Sequence, residues 1–278
     1  MIKKAFEGII QNAEQNAAWN EGDYIGDDGL VYCGKCRTRK QYRLTLPWTG
    51  EERAVPTPCQ CRLAEIEKEE LRAKRIEWEK KIDLMRRDGI TDDEYLKWTF
   101  DKDDGAHPKI TEVAKKYCNE WSMMRERNIG ILFYGGVGTG KTFMAAAIAN
   151  ELLSQGVRVL MASSINLIGG ITAYSDNITD KVMNVDLLVM DDLGAERGTP
   201  MALENLYKII DTRYRSGKPM VVTTNISLEH LKNPPDINYK RAYDRVLEMC
   251  VPVQVAGESR RAKLGKDKRD EMAKLLGF

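Results

Sequence analysis

Eight residues near the middle of the chain, GGVGTGKT, have the spacing of a phosphate-binding loop. They fit the pattern G-x-x-x-x-G-K-[ST], with the strand pattern IGILFY before them and the helix pattern FMAAAIANELLSQ after them. Glycines let backbone N–H groups converge on phosphate oxygens. We expect Lys141 to reach the β- and γ-phosphates of a nucleotide and the Thr142 hydroxyl to hold Mg²⁺. The predicted nucleotide-binding residues are Gly135, Gly136, Val137, Gly138, Thr139, Gly140, Lys141 and Thr142.

Two carboxylates follow the apolar strand pattern in DLLVMDDLGAE. Asp191 and Asp192 come at the carboxyl end of that strand, where ligands bind in open parallel sheets. Adjacent carboxylates repel each other unless a cation lies nearby. We therefore predict that Asp191 binds on the Mg²⁺ side and that Asp192 polarises an attacking water. The structural alternative is that both acids cap the next turn.

Polar residues after two later strand patterns are further candidates. Asn225 ends VVTTNIS and is placed near the γ-phosphate, although Asn also commonly begins a turn after a strand. In GESRRAK, Arg260 and Arg261 follow the strand pattern VPVQV, and one of them is expected to contact phosphates in its own chain.

Two arginines in YKRAYDRVLEMC are four residues apart and share one helix face. The functional interpretation makes Arg245, with Arg241 assisting, an arginine finger for the nucleotide of a neighbouring subunit. The structural alternative is an ion pair within the helix, because Asp244 lies between the two arginines.

Four cysteines near the N-terminus have the spacing of a metal site. The knuckles Cys33-Gly-Lys-Cys36 and Cys59-Gln-Cys61 offer four thiolates, the number that closes a tetrahedral Zn²⁺ site. Free or oxidised cysteines are the alternative. Such a closed site predicts structural zinc, and the residues between the knuckles are expected to form a small ribbon. An apolar stripe at helical spacing runs from Ile110 to Met124 and predicts one helix there. Cys118 lies on this stripe and is assigned to packing.

The whole chain sets limits on these predictions. It has 278 residues with 43 Lys and Arg against 42 Asp and Glu, so net charge alone does not favour nucleic-acid binding. No apolar run approaches the ~18 residues of a membrane span, and the N-terminus does not resemble a secretory signal. We therefore expect a cytoplasmic protein that does not enter membranes.

Helix and strand patterns alternate through the larger, C-terminal part of the chain, which predicts an α/β fold with a parallel sheet covered on both faces. We predict three parts: an N-terminal helix and zinc-binding module at 1–61, a charged helical connector at 62–94, and the nucleotide-binding domain at 95–278. The first helix is inferred from an apolar stripe formed by Ile2, Phe6, Ile9, Ile10, Ala13 and Ala17. Residues 88–108 have the Asp, Gly and Pro content of a linker.

The order of these motifs resembles that of the AAA+ ATPases: a phosphate loop at 135–142, acids at 191–192, a sensor Asn225, a finger Arg245 and a second sensor Arg261. Within that class, LLVMDDLGAE, TTN, RAYDRV and GESRR resemble the DnaC/DnaI helicase loaders and the IstB transposition helpers. The resemblance covers about residues 95 to 265. It implies a P-loop NTPase fold with a three-layer parallel sheet and a short or absent lid.

The resemblance also implies a function. A loader would use ATP, Mg²⁺ and a zinc module to bind the hexameric replicative helicase and single-stranded DNA, and it would form a homo-oligomer once assembled on either. The alternative is an IstB-like ATPase that binds DNA and a transposase. An adaptor with negligible turnover differs from the loader only in rate.

Overall fold

The computed structural model describes residues 20–171, 177–196 and 198–277. The apolar stripe of the first helix therefore lies outside the described residues. The chain forms two compact units, which divide between Glu79 and Lys80. None of the helices in the described ranges is long and apolar enough to cross a membrane.

The first unit consists of two small antiparallel ribbons followed by a long helix. Strands β1 (Tyr24–Ile25) and β2 (Val31–Tyr32) form one ribbon, and β3 (Gln41–Thr45) and β4 (Glu52–Pro56) form the other. The second ribbon lies between the cysteine knuckles, as the sequence predicted. Helix α1 (Gln60–Gly89) is almost wholly exposed, as its mixture of charges predicted, and its last turns belong to the second unit.

The second unit is built on a five-stranded parallel sheet of order β6-β7-β8-β5-β9. The strands are β5 (Gly130–Tyr134), β6 (Val159–Ser163), β7 (Leu187–Leu193), β8 (Met220–Thr224) and β9 (Cys250–Gln254). The central strand β8, MVVTT, is buried at every position. Strands with both faces buried read as continuous apolar runs, which is why the sequence revealed them.

Helices cover both faces of this sheet. Before β5 come α2 (Asp93–Leu96), a 3₁₀ turn (Phe100–Lys102), α3 (Pro108–Asn119) and α4 (Trp121–Glu126). The others are α5 (Lys141–Ser154), α6 (Ser164–Gly169), α7 (Asn177–Asn184), α8 (Pro200–Arg215), α9 (Leu228–Lys232), α10 (Ile237–Met249) and α11 (Arg260–Leu276). One apolar core packs α3 and α5 on one face, and a second packs α8 and α10 on the other.

The single helix predicted from Ile110 to Met124 is wrong in one detail. It is two helices, because Glu120 leaves helical geometry with φ −96° and ψ 22°. The break lets Trp121 turn into the core, where its ring packs at 6.0 Å from that of Tyr117. Cys118 is buried in the same core, so its assignment to packing is confirmed.

The linker prediction for residues 88–108 is also wrong. Ile90 and Tyr95 are buried, and Ile90 pairs with Met161 at the free edge of β6. The buried amide of Asn150 on α5 donates to the carbonyl oxygens of Tyr95 and Trp98, at 2.8 and 2.9 Å. The segment is therefore a structural part of the second unit despite its loop-like composition.

Candidate functional site

The glycine loop is shaped by close backbone approaches that exclude side chains. Gly135 has φ +151°, and a Cβ there would lie 2.2 Å from the carbonyl oxygen of Val255. A Cβ on Gly138, at φ +79°, would lie 2.2 Å from Oγ of Ser259. Helix α5 begins directly after the loop, at Lys141, with its free N–H groups toward the loop. This arrangement is the cradle that phosphate groups require.

Lys141 connects the loop to the neighbouring strand. Its Nζ donates to the carbonyl oxygens of Gly135 and Gly136, at 3.0 and 2.6 Å, and to Oδ1 of Asn225 at 2.7 Å. Asn225 follows β8, and its Nδ2 donates to Oδ1 of Asp192 at 2.8 Å. Three predicted site residues from three different segments thus form one hydrogen-bonded path from Lys141 to Asp192.

A bulge at the end of β7 points both acids toward the site. The pairing of β7 with β8 shifts register between Met190 and Leu193, and Asp192 has φ +57°. A left-handed conformation is uncommon for a residue with a side chain, although Asp and Asn tolerate it best. Bulges of this kind redirect side chains next to functional sites. Simple strand alternation would instead have sent the two carboxylates to opposite faces of the sheet.

The charges at this site influence one another. Burial lowers the pKa of Lys141; the two carboxylates oppose that shift, and Arg261 adds to it. Burial, followed by the charge of Asp191, raises the pKa of Asp192, whereas Lys141 and Arg261 lower it. A carboxylate with a raised pKa is a stronger base toward water, which fits the role predicted for Asp192.

The start of α11 packs on the phosphate loop. Ser259 caps this helix, and the backbone N–H of Arg260 donates to the carbonyl oxygen of Gly138 at 2.9 Å. The Arg260 side chain is held away from the acids by an ion pair with Asp104 at 3.0 Å and by the ring of Phe143. Arg261 is exposed, and its charge acts on Lys141 and Asp192 as described above.

Arg245 is held within its own chain. Its Nη2 lies 2.7 Å from Oδ1 of Asp211 on α8, and its guanidinium lies over the rings of Tyr207 and Tyr214, at 4.6 and 5.4 Å from their centroids. Arg241, one helical turn earlier, is exposed. The ion-pair partner is therefore Asp211 rather than Asp244, and the finger role stays a prediction.

Sequence reasoning missed three residues that contact the site. The hydroxyl of Tyr95 donates to Oδ2 of Asp191 at 3.0 Å, and the hydroxyl of Thr223 donates to Oδ1 of the same residue at 2.6 Å. Nε2 of His107 donates to the carbonyl oxygen of Thr139 in the loop at 3.0 Å. The linker-like composition of residues 88–108 hid Tyr95 and His107, whereas the polar end of VVTT was the available signal for Thr223.

The residues fit a nucleotide with Mg²⁺. The glycines let the loop pack against Val255 and Ser259 where a side chain would clash, and Lys141 supplies a cation beside the loop. Asp191, buried at the edge of the cradle, is an oxygen ligand of the type that Mg²⁺ prefers. Thr142 is the second predicted oxygen ligand, at the start of α5.

The four N-terminal cysteines form a separate cluster. The Sγ atoms of Cys33, Cys36, Cys59 and Cys61 all lie within 4.8 Å of one another. Cys61 is 3.6 Å from Cys33 and 3.3 Å from Cys59, measured between Sγ atoms. Tetrahedral Zn²⁺ with bonds of about 2.3 Å separates its sulfur ligands by about 3.8 Å. The spacing and the all-sulfur donor set therefore fit zinc.

Local hydrogen bonds favour thiolate at one of these cysteines. The hydroxyl of Thr38 lies 3.1 Å from Sγ of Cys36, and this contact is the main reason that the pKa of Cys36 is lowered to about 5. Oγ1 of Thr38 also accepts from the backbone N–H of Gln60, at the start of α1. Thr38 thus links one knuckle to the segment that carries the other.

We expect purified protein to contain one Zn²⁺ per chain, because the described part of the first unit, from residue 20 onward, has few buried apolar residues and metal binding would supply about 10 kcal/mol of folding free energy. Elemental analysis after purification without added metal checks this. Cys36→Ser should lose the metal, whereas Cys118→Ala, outside the cluster, should keep it. Less than about half an equivalent, with four freely titratable thiols in native protein, would contradict the assignment.

Comparison with known families gives a match over most of the chain. The sequence profile of the family described as IstB-like ATP binding protein matches residues 94–268. The replicative helicase loader DnaI of Bacillus subtilis is 26% identical over 210 residues, which are 68% of this chain and 66% of DnaI. The replicative helicase loader DnaC of Escherichia coli is 30% identical over 126 residues, 42% of this chain. The chain spans about half the length of DnaC.

Solved structures show the same fold. A crystal structure of DnaI matches with a TM-score of 0.51 and 24% identity, covering 62% of this chain and 95% of that one. A crystal structure of the DnaC helicase loader matches with a TM-score of 0.52 and 22% identity, covering 59% of this chain and all of that one. The predicted AAA+ P-loop fold, with its parallel sheet, is therefore confirmed.

Proposed function

Because the chain belongs to the IstB-like ATP-binding protein family, we propose that it is an ATPase that loads the replicative DNA helicase onto single-stranded DNA during initiation of replication. The observation that carries the ATPase is the path from Lys141 through Asn225 to Asp192. The similarity to proteins named as replicative helicase loaders supports the choice of partner. The protein would act in the cytoplasm.

The chemistry follows from the contacts of the site. ATP would place its phosphates on the glycine loop, where backbone N–H groups and Lys141 bind them. Mg²⁺, held by Thr142 and Asp191, would neutralise phosphate charge when bound. Asp192, oriented by Asn225, would then accept a hydrogen bond from the attacking water and align it. Arg261 would contact the phosphates from the same chain.

Lys141 gives this site a means of sensing its nucleotide. The Lys141 ammonium is satisfied by two loop carbonyls and by Oδ1 of Asn225. A γ-phosphate would compete for that ammonium, because an anionic phosphate adds a Coulomb attraction that neutral carbonyl and amide oxygens lack. Asn225 would then lose its contact with Lys141 while keeping the one with Asp192. Nucleotide occupancy is thereby linked to the residue that orients the water.

We also propose a role for each of the three parts of the chain. Residues 1–61 would dock on the helicase, the part of 62–94 that precedes Lys80 would connect, and the second unit, which includes 95–278, would bind and hydrolyse ATP. Subunits would assemble into a homo-oligomer on the helicase or on DNA, which would allow Arg245 to reach a neighbouring nucleotide.

The matching family is described as IstB-like, so an IstB-like ATPase that binds DNA and a transposase is the second candidate. The cysteine cluster supports the loader on our proposal that the module it would hold together docks on a partner protein. A pull-down from lysate of the source organism, analysed by mass spectrometry, separates the two. We expect the hexameric replicative helicase among the captured proteins and its loss when residues 1–61 are deleted. Capture of a transposase in place of a helicase would overturn the loader function.

A further inference from the structure

We propose that Tyr95 is a positioning residue for Asp191, and that its hydroxyl holds this carboxylate in the orientation that Mg²⁺–nucleotide requires. The inference rests on the proposed ATPase function and adds a residue from the segment before β5 to that site. Tyr95 is buried, and its hydroxyl donates to Oδ2 of Asp191 at 3.0 Å.

Two neutral donors fix the plane of the Asp191 carboxylate. Tyr95 binds Oδ2, while Thr223 binds Oδ1 at 2.6 Å. Each carboxylate oxygen has two lone pairs, so both oxygens keep one for a metal ion or for a water bound to it. Since the two donors lie on different elements, α2 and β8, rotation of the carboxylate would break at least one of these hydrogen bonds.

The backbone around Tyr95 is itself anchored. Asp92 caps the short helix α2 through the backbone N–H of Glu94, and Asn150 on α5 holds the carbonyl oxygen of Tyr95 at 2.8 Å. Helix α5 is the one that begins at Lys141. The segment that delivers the Tyr95 hydroxyl is thus attached to the same helix that carries the phosphate loop.

Tyr95 remains a donor under all physiological conditions. A tyrosine hydroxyl ordinarily loses its proton only near pH ~10, so it is protonated near neutral pH. A protonated phenol donates a hydrogen bond and does not compete with the carboxylate for a cation. Hydrogen-bonding partners of metal ligands typically contribute about 10–100-fold to metal affinity or activity.

The test measures how much Mg²⁺ strengthens nucleotide binding, using a fluorescent non-hydrolysable ATP analogue with excess Mg²⁺ or with EDTA. Tyr95→Phe removes only the hydroxyl and keeps the ring, which packs 5.6 Å from that of Trp98. Tyr117→Phe is the matched control, because it loses a hydrogen bond of the same length, 3.0 Å to the carbonyl oxygen of Ile129, in the same apolar core.

We expect Tyr95→Phe to bind the analogue as the parent does in EDTA, but to lose about tenfold or more of the gain that Mg²⁺ provides. Tyr117→Phe should keep the full gain, even if its thermal stability falls as much. Parent-like Mg²⁺ gain in Tyr95→Phe would overturn the positioning role, as would an equal loss in both variants. A parent protein that does not bind the analogue at all would instead contradict the proposed ATPase.

Discussion

Mixing two inactive variants, Lys141→Ala and Arg245→Ala, is expected to restore ATP hydrolysis. Lys141→Ala subunits lack a working phosphate loop but still carry the predicted finger. Arg245→Ala subunits have an intact nucleotide site but no finger. An arginine finger supplied by a neighbour is worth about 10³–10⁵-fold in turnover, so each variant alone should be nearly inactive. Phosphate release measured across mixing ratios, on single-stranded DNA as a scaffold, checks this.

The contacts of Arg245 within its own chain compete with the predicted finger role. Tyr207, Asp211 and Tyr214 lie along one face of α8 and hold the guanidinium by stacking and by the ion pair. To act on a neighbouring nucleotide, Arg245 must leave these partners. Asp211→Asn, which removes the ion pair and keeps the arginine, should therefore hydrolyse ATP at least as fast as the parent once subunits assemble.

Arg241→Ala is the matched control, because this exposed arginine lies on the same helix face one turn earlier. It should have a smaller effect than Arg245→Ala. If the mixture stays inactive where parent subunits demonstrably assemble, and Arg245→Ala is thermally less stable than Arg241→Ala, the finger role is wrong. Arg245 would then be a structural residue that fastens α10 to α8.

Two substitutions, Lys141→Ala and Asp192→Asn, are expected to separate nucleotide binding from turnover. Lys141→Ala should strongly weaken ATP binding, because Lys141 supplies the cation beside the glycine cradle. Asp192→Asn should bind ATP normally but lose about 10²–10⁴-fold in hydrolysis, the range for a positioned acid–base group. Nucleotide titration and phosphate release on both variants provide the measurement.

The backbone at position 192 makes asparagine the right replacement. Asp192 has φ +57°, a conformation that asparagine accepts as readily as aspartate, whereas alanine would be strained there. The amide oxygen of the new side chain can also still accept from Nδ2 of Asn225. Loss of activity in Asp192→Asn is therefore chemical rather than structural. Hydrolysis at the parent rate would show that Asp192 does not act on the water.

The sheet and the phosphate loop could be predicted because local patterns specify them. The strand MVVTT is buried at every position, and Gly135, Gly138 and Gly140 of the loop adopt the positive φ values that their residue type permits. The cysteine cluster could also be predicted, because the spacing within each knuckle is a local feature of the sequence. The fold brings together the sulfur atoms of all four residues, Cys33, Cys36, Cys59 and Cys61.

The contacts that complete the site could not be predicted, because they join residues far apart in the chain. Tyr95 and Asp191 are separated by 96 positions, and no local pattern marks either one as the partner of the other. The bulge that turns Asp191 and Asp192 to the same edge interrupts strand alternation. Neither position is a glycine, the residue type that would have signalled a bulge in the sequence. The contacts of Arg245 with Asp211 and the two tyrosine rings likewise depend on the packing of α8 against α10. The sequence of neither helix alone predicts that packing.

The most direct test of the loader function follows a helicase onto DNA. Purified hexameric replicative helicase from the source organism is incubated with closed circular single-stranded DNA, ATP and this protein, and helicase retained on the circles is measured after a high-salt wash. We predict retention that requires the protein and ATP and is lost with Lys141→Ala. Equal retention with and without the protein, at concentrations where the two proteins bind each other, would contradict the account.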